Sequence, residues 1–175
     1  MLTVITLALL KTLASFLFEQ SLYMTLEYDI EDAPYWYYQE GSDEMCSFTY
    51  KEGGLESVEI AKENANTLMN KHIKTLTTKV AYENFSKINN PKEKLLVESF
   101  KNDPELNVFV DSYLVYEKVK HEDDAAITFV KACIDKERIM AYESKRLKSL
   151  QKTIMLHRSD EALDELDKEF QGENN

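Results

Sequence analysis

The sequence predicts an α+β fold: a βαββ unit with an antiparallel sheet, one long helix packed on that sheet, and C-terminal helices after it. Three observations predict this class. Side chains alternate in polarity from Met45 to Lys51, apolar residues recur at three- and four-residue steps from Ser57 to Ile88, and two further strand-like segments flank an acidic turn at 121–124. A chain of 175 residues can bury a core without staples, so no cofactor is expected.

Residues 1–18 form a strongly apolar stretch that contains no Pro or Gly and has Lys11 as its single charge. Its length is at the short limit for crossing the hydrocarbon core of a membrane. Its position predicts an export signal or an uncleaved membrane anchor, and an apolar helix packed on the domain is the alternative. We favour export, with the segment either removed or retained as an anchor.

Residues 19–43 form an aromatic-rich connection that leads into the domain. Pro34 restrains the residue before it to an extended conformation, which predicts coil or an edge strand. Two interpretations of Tyr35, Trp36 and Tyr37 stay open. They form either a platform that contacts a glycan or another partner, or an aromatic group that packs over the sheet edge or the end of the long helix. Packing is the favoured interpretation.

The first strand and the long helix are predicted from their periodicity. The strand runs from Met45 to Lys51 and is ended by the glycines at 53–54. The helix begins near Ser57, whose hydroxyl is expected to cap it, and runs to about Ile88. Its apolar stripe is expected to consist of Ala61, Ala65, Leu68, Leu76 and Val80, broadened by Met69, Ile73 and Phe85. His72 has no second ligand at helical spacing, so we interpret it as a core histidine rather than a metal ligand.

A short helix and two strands are predicted after the long helix. Residues 89–91, Asn-Asn-Pro, end the long helix, and a helix from Lys92 to Lys101 follows. Its inward-facing residues are expected to be Leu95, Leu96 and Phe100. Strands are then predicted from Asn107 to Lys120 and from Ala125 to Ile134, joined by the turn at 121–124. With a right-handed crossover the sheet order is one, three, two, and the third strand is antiparallel to both others.

The two cysteines, Cys46 and Cys133, fall on strands that this order makes neighbours, so they are a candidate disulfide in an exported chain. In the chain-entropy description such a bridge contributes roughly 4 kcal/mol. The alternation of side chains argues against this disulfide. Cys46 shares a face with Phe48, whereas Cys133 lies on the face opposite an apolar set that includes Val130 and Ile134, so the two cysteines are expected on different faces. Two buried free thiols are the alternative.

From Lys136 onward the chain is predicted to be helical, with one apolar stripe. The stripe consists of Met140, Leu147, Leu150 and Ile154. These residues either pack in the core or contact a partner, and their near-heptad spacing covers too few turns for a coiled coil, which favours the core. A break is expected near His157, where Ser159 caps a last acidic helix in the solubilising tail, residues 158–175. The domain itself is placed at 44–157.

Charge and motif content exclude several classes of function. The formal net charge is -11 and the basic residues are scattered among acids, so we expect no nucleic-acid partner. The acidic turn at 121–124 lacks the spacing of a calcium loop and is interpreted as a solvated hairpin tip. Local sequence shows no Ser-His-Asp or Cys-His grouping, so we expect no catalytic residues, no metal site and no enzymatic activity.

Several short motifs occur in a characteristic order along the chain. They are Pro34-Tyr35-Trp36-Tyr37, Ala61-Lys62-Glu63-Asn64-Ala65 followed by Leu68, Val115-Tyr116-Glu117, and Thr128-Phe129-Val130-Lys131-Ala132. In this order they resemble the LPP-twenty lipoprotein family over about residues 33–155. That family includes the flagellar proteins FlgP and FlgQ, and its fold is similar to the N-terminal domain of FlgT.

The resemblance implies a non-catalytic structural protein of the bacterial cell envelope, located in the periplasm and associated with the outer membrane or the flagellar motor. FlgP-like members assemble into disks or rings, so a basal-disk component needed for motility is expected. Because those members carry a lipid-accepting Cys and no Cys lies before Cys46 in this sequence, a non-lipidated FlgQ-like protein fits better.

The resemblance also implies partners. They are a FlgP-like lipoprotein or other flagellar disk proteins, with a homo-oligomer as a further expectation, and membrane association runs through residues 1–18 or through a partner. The alternative is a periplasmic binding module that uses the aromatic patch for a glycan or a peptide.

Overall fold

The computed structural model of this protein describes residues 33–122 and 126–172. The elements of these ranges are, in chain order, β1 (Glu44–Glu52), α1 (Ser57–Phe85), α2 (Pro91–Lys101), α3 (Leu106–Tyr113), β2 (Val115–Glu122), β3 (Ile127–Asp135) and α4 (Lys136–Gly172). The predictions for residues 1–18 and for the start of the aromatic-rich connection lie outside the described residues. Within the two described ranges, no helix is long and apolar enough to cross a membrane.

The sheet has the strand order β1–β3–β2, and β3 is antiparallel to both neighbours. The predicted α+β class and the predicted order one, three, two are therefore confirmed. The β3 strand is buried from Thr128 to Ile134, as expected for a central strand with both faces covered. A register shift between Tyr116 and Lys118 leaves Glu117 as an extra residue, a β-bulge on β2.

Helix α1 packs on one face of the sheet, called the inner face here, and small side chains allow a close approach. Ala61 and Ala65 are fully buried at this contact. The Ser47 hydroxyl donates to the carbonyl oxygen of Ala132 at 3.2 Å, and the Thr49 hydroxyl donates to the carbonyl oxygen of Ala61 at 2.8 Å. Both polar side chains are thus satisfied between helix and sheet.

A larger core lies beyond the sheet, where α1 meets α2, α3 and α4. Its members include Met69, Ile73, Leu76, Val80, Val97, Phe100, Phe109, Val110, Ile139, Leu147, Leu150 and Ile154. The apolar stripe predicted for α1 is confirmed apart from Leu68, which is half-buried because the stripe passes through Met69 instead. Met45 and Ile134 connect this core to the sheet.

The start of α1 differs from the prediction at Ser57. Ser57 is the first helical residue, and the residue before it, Glu56, makes no side-chain cap. The Ser57 hydroxyl lies 2.6 Å from Thr128 Oγ1 on β3, and His121 Nδ1 lies 2.9 Å from that same hydroxyl oxygen. Ser57 therefore fastens the start of the helix to the sheet rather than capping the helix.

Helix α2 begins earlier than predicted because Asn90 caps it. Asn90 Oδ1 accepts a hydrogen bond from the backbone N–H of Lys92 at 2.9 Å, and Pro91 occupies the first turn. This start fixes which residues face the core. The buried residues of α2 are Glu93, Val97 and Phe100. The prediction that Leu95 faces inward is wrong, since Leu95 is exposed.

The predicted strand from Asn107 to Lys120 is wrong over its first half. Residues 106–113 form α3, and strand pairing begins only at Val115. The buried residues of α3 are Leu106, Phe109 and Val110. They are three and four positions apart, which is helical spacing, so burial against the helical core decides the local structure over the β-propensity of this segment.

Helix α4 shows no break near His157, contrary to the prediction, and is continuous over residues 136–172. It contains no Pro, and its one Gly is its last residue, so nothing interrupts the backbone hydrogen bonds. A contact to α2 supports the helix at the same point, because Arg158 Nε lies 2.6 Å from Glu93 Oε1. Ser159 is therefore an interior residue of the helix rather than a cap.

A polar network around Glu143 crosses the helical core. The fully buried Glu143 accepts hydrogen bonds from Thr77 Oγ1 at 2.8 Å and from Arg146 Nη1 at 2.7 Å. Burial raises the pKa of Glu143, while Arg146 and Thr77 act in the opposite direction. Arg146 also pairs with Asp103 at 3.2 Å and stacks on the ring of Phe100. The network joins α1 and α4 to the connection between α2 and α3.

Candidate functional site

The outer face of the sheet, opposite α1, carries an aromatic cluster. Its members are Trp36, Tyr37, Tyr38, Phe48 and Phe129. The ring of Tyr37 lies at the centre, with its centroid 5.2 Å from that of Phe129 and 5.8 Å from that of Phe48, both in edge-on geometry. Residues of the aromatic-rich connection thus cover the outer face of the sheet and form a second, smaller core.

This packing confirms the favoured interpretation of Trp36 and Tyr37 as packed aromatic residues and shows that the alternative, partner contact, is wrong for these two. Trp36 is 7% exposed and Tyr37 is 2% exposed, so neither ring can stack on a glycan or a peptide. Tyr35 is 83% exposed and keeps an accessible ring. Lys118 Nζ lies 5.9 Å from the Tyr35 ring centroid and 5.7 Å from that of Trp36. The Tyr35 ring and the Lys118 ammonium group therefore form a smaller accessible surface than the predicted platform of Tyr35, Trp36 and Tyr37.

The α4 residues proposed as partner contacts also pack inside the chain. Leu147, Leu150 and Ile154 are buried in the helical core, and Met140 is partly buried against it. They share this core with buried residues of α1, α2 and α3, so they do not form an outward-facing surface. Among the residues that the sequence proposed for partner contact, Tyr35 is the one that the structure leaves largely exposed.

Cys46 and Cys133 are joined by a disulfide on the outer face of the sheet. They are direct register partners on β1 and β3, so their side chains point to the same side. The argument from alternation against this bridge was wrong because both faces of the sheet are apolar. Val130 and Ile134 belong to the inner face, whereas Phe48 belongs to the outer face together with both cysteines.

A pair of carboxyl groups lies beside the disulfide. The carboxyl groups of Glu44 and Glu117 lie close enough to share a hydrogen bond when one of them is protonated, and Lys131 Nζ lies 2.6 Å from Glu117 Oε2. Burial, followed by the hydrogen bond and the charge of Glu117, raises the pKa of Glu44. Burial acts in the same direction on Glu117, but its hydrogen bonds with Lys131 and Glu44 lower the pKa of Glu117. The pKa values of the two carboxyl groups are thus shifted in opposite directions.

A cavity of about 400 Å³ opens next to this pair. Its lining includes Glu44, Glu117, Cys133, Asp135 and Arg138. The cavity thus reaches both carboxyl groups and Cys133, one of the two disulfide-bonded cysteines. Across the described residues, the side chains placed closely enough to share one metal ion are Glu44, Cys46 and Cys133. The sequence predicted no metal ligands, and the two cysteines are bonded to each other in this structure.

The β2 strand forms an open edge of the sheet. None of the described residues pairs with its outer side. Three of its apolar side chains are exposed: Val115 by 61%, Tyr116 by 40% and Val119 by 39%. Edge strands present unpaired N–H and C=O groups that can pair with another strand. The edge therefore offers both hydrogen-bonding groups and apolar surface to a partner.

A second cavity, of about 510 Å³, lies between the end of α1, the start of α2 and α4. Its charged lining residues are Lys87, Glu93 and Arg158. Glu93 and Arg158 form a two-pronged ion pair at 2.6 Å and 2.9 Å. The hydrogen bond from Arg158 lowers the pKa of Glu93 despite its burial. Because these charges already satisfy each other, the cavity obtains no free acid or cation from them.

The histidines remain separate from both cavities. His72 is half-buried, and burial together with the charge of Lys71 lowers its pKa to about 4. Its imidazole is thus neutral at pH 7, in accord with the interpretation as a packed histidine. His121 contacts Thr128. Of the predicted turn at 121–124, the first two residues belong to β2 and residues 123–124 lie outside the described residues.

No protein-family model and no curated protein matches this chain. The LPP-twenty resemblance stays a prediction based on the order of the motifs. The predicted strand order already placed β2 at an edge of the sheet, whereas sequence reasoning missed the Glu44–Glu117 pair. The carboxyl pair depends on a bulge, which no local pattern indicated.

Proposed function

We propose that this chain is a non-catalytic structural component of the bacterial cell envelope, a flagellar basal-disk protein of the FlgQ-like kind that motility requires. The open edge of β2 carries this proposal. It supplies the surface that an assembly protein needs, whereas the aromatic residues that a binding module would use are largely buried.

The side chains of β2 favour a selective contact over indiscriminate pairing. Val115 and Val119 supply apolar surface, while Lys118 and Lys120 discourage pairing with an unrelated edge. A partner strand that carries acidic residues opposite these lysines would be accepted. A FlgP-like lipoprotein companion or a second copy of this chain is the proposed partner.

The disulfide supports the proposed location outside the cytoplasm. Structural disulfides persist in oxidising compartments such as the periplasm and are rare in the cytosol. Cys46 and Cys133 close the first strand onto the last strand of the sheet, so oxidation fixes the fold after export. The apolar segment at 1–18 is proposed as the export signal or anchor.

Deletion of the gene in its native host, with swimming and flagellation scored together, tests the proposal. We expect reduced swimming, restored by the wild-type gene, and wild-type protein in large particles of the envelope fraction. A deletion strain that swims as well as its parent would remove the motor assignment.

A substitution on the β2 edge tests the proposed surface. Val119→Lys should leave the domain folded, because substitutions at exposed positions usually change the free energy of unfolding by about 0.5 kcal/mol or less. In the deletion strain, however, the variant should restore neither swimming nor the large particles. Leu95→Lys is the matched control, since Leu95 is exposed on α2 away from the edge. If Val119→Lys assembles like the wild type, the edge is not the contact.

A further inference from the structure

Three potential metal-ligand side chains meet on the outer face of the sheet. The ligand atoms of Glu44, Cys46 and Cys133 all lie within 4.8 Å of one another. They come from the paired ends of β1 and β3, where Glu44 is opposite Asp135 and Cys46 is opposite Cys133. Two hydrogen-bonded strands, rather than a loop, therefore hold these side chains in place.

The strand register suits a cation once the disulfide is reduced. In a tetrahedral zinc site each Zn–S distance is about 2.3 Å, so the two sulfurs lie roughly 3.8 Å apart. The Cα atoms of Cys46 and Cys133 lie 4.1 Å apart across the two strands. Rotation of the Cys46 and Cys133 side chains can provide that sulfur separation without moving the backbone.

The surroundings supply the other requirements of a metal site. Glu117 pairs with Lys131 at 2.6 Å and lies beside Glu44, outside the ligand set, where it can orient the Glu44 carboxyl group. The cavity of about 400 Å³ that reaches Cys133 and Glu44 provides a path for the ion and room for one water ligand.

We propose that the reduced chain binds one thiophilic divalent cation of the Zn²⁺ type through Cys46, Cys133 and Glu44, with water as the fourth ligand. A dithiol reductant gives two electrons and two protons to the disulfide and becomes a disulfide itself. The cation then displaces the two thiol protons, and any proton on Glu44, and binds two thiolates and one carboxylate. A second disulfide compound then oxidises the two thiolates by thiol–disulfide exchange: it accepts their two electrons and leaves as a dithiol, the Cys46–Cys133 bond re-forms and the cation is released. The site is thus an alternative state of the structural bridge, and it does not depend on the proposed motor role.

Cobalt binding to the purified full chain tests this site. The chain is reduced with a phosphine, desalted under argon and titrated with Co²⁺, with the oxidised chain as the control. Cys46 and Cys133 are the two cysteines of the sequence, so any thiolate-to-cobalt charge-transfer absorption reports on them. We expect one Co²⁺ per reduced chain, with tetrahedral d–d bands that disappear when Zn²⁺ is added, and no such bands for the oxidised chain.

Variants separate the proposed ligands from general effects. Glu44→Gln should weaken Co²⁺ binding to the reduced chain at least about tenfold, a change of about 1.4 kcal/mol. Glu63→Gln, an exposed control on α1, should bind like the wild type. Circular dichroism of the reduced chain shows whether the fold persists, and recovery of lost structure on adding Zn²⁺ would also support the site.

Three results would overturn the proposal. The first is a reduced wild-type chain that shows no thiolate–cobalt absorption. The second is an unchanged affinity in Glu44→Gln. The third is cobalt binding with the same spectrum in the oxidised chain.

Discussion

Reduction of the Cys46–Cys133 disulfide should strongly lower the free energy of unfolding. The bridge connects residues 87 positions apart in sequence. In the chain-entropy description, closing a loop of that length removes unfolded-state entropy worth roughly 4.6 kcal/mol at 25 °C. Both cysteines are buried in a regular strand pair, so reduction leaves the native contacts around them in place. The expected loss is therefore close to the entropic value, about 4 kcal/mol.

Urea unfolding of the oxidised and the reduced chain measures this loss. A slope of about 2 kcal/mol/M converts the loss into a midpoint shift of roughly 2 M urea. A chelator must be present, so that no metal stabilises the reduced form. The double variant Cys46→Ala/Cys133→Ala is the control, because a reductant should leave its midpoint unchanged. A shift of less than about 1 kcal/mol would refute the reasoning, since the unfolded chain would then already keep these strands together.

Three further predictions concern the helices. Ala65→Leu should lower the free energy of unfolding by roughly 2 kcal/mol, because there is no room for a larger side chain between α1 and the sheet. Ala141→Leu, at an exposed position, should change the free energy of unfolding little. Thermal and urea unfolding of both variants measure the difference. The pKa of His72 lies near 4 in the folded protein and at 6.5 in the unfolded chain. As the pH drops, the unfolded chain therefore takes up the proton first, and the free energy of unfolding should fall between about pH 6.5 and about pH 4. His72→Leu should lack that part of the pH dependence in urea titrations at each pH. Arg158→Met should lower the free energy of unfolding by roughly 1–2 kcal/mol, because it leaves the buried Glu93 carboxylate unpaired. The loss is smaller than for a fully buried ion pair because the Arg158 guanidinium is exposed. Adding Glu93→Gln should recover most of the lost stability.

The controls for these predictions have clear contrary outcomes. Equal effects of the Ala65 and Ala141 substitutions would show that α1 does not pack tightly on the sheet. A pH profile that His72→Leu leaves unchanged would assign the acid sensitivity to carboxyl groups instead. If Arg158→Met has wild-type stability, the ion pair at the α2–α4 contact contributes nothing.

The topology of the sheet could be predicted because it depends on long, regular patterns. The period changes from two to about 3.6 between Lys51 and Ser57, and this change alone separates β1 from α1. The order of the strands follows from the handedness of the crossover and from the short hairpin connection. These features act over many residues, so errors at single positions do not alter the outcome.

Burial on both faces of the sheet could not be predicted from local sequence. The aromatic segment at 33–40 covers the outer face, which makes both sets of alternating residues on β3 apolar. For that reason the alternation of apolar residues in the sequence assigned Cys46 and Cys133 to opposite faces of the sheet, although the two are register partners on the same face. The exposed ring of Tyr35 beside the buried ring of Trp36 depends on the same covering segment.

The errors at α3 and α4 have different physical causes. Residues 106–113 are rich in apolar and β-branched types, and only contact with the helical core selects the helical spacing of Leu106, Phe109 and Val110. For α4, His157 and Ser159 are residues that often end helices, but the ion pair of Arg158 with α2 supports the helix at this point. In both cases tertiary contacts outweigh local propensity.

The 37 residues of α4 make a rod of about 55 Å, and only part of its length packs against the other residues that the structure describes. Its apolar contacts extend to Ile154, whereas residues 162–168 are exposed on every side. Amide hydrogens should therefore exchange slowly along the first half and progressively faster beyond Arg158, where end fraying sets the protection. A fluorophore or tag attached to that outer half would report on the motion of a free arm, not on the stability of the sheet.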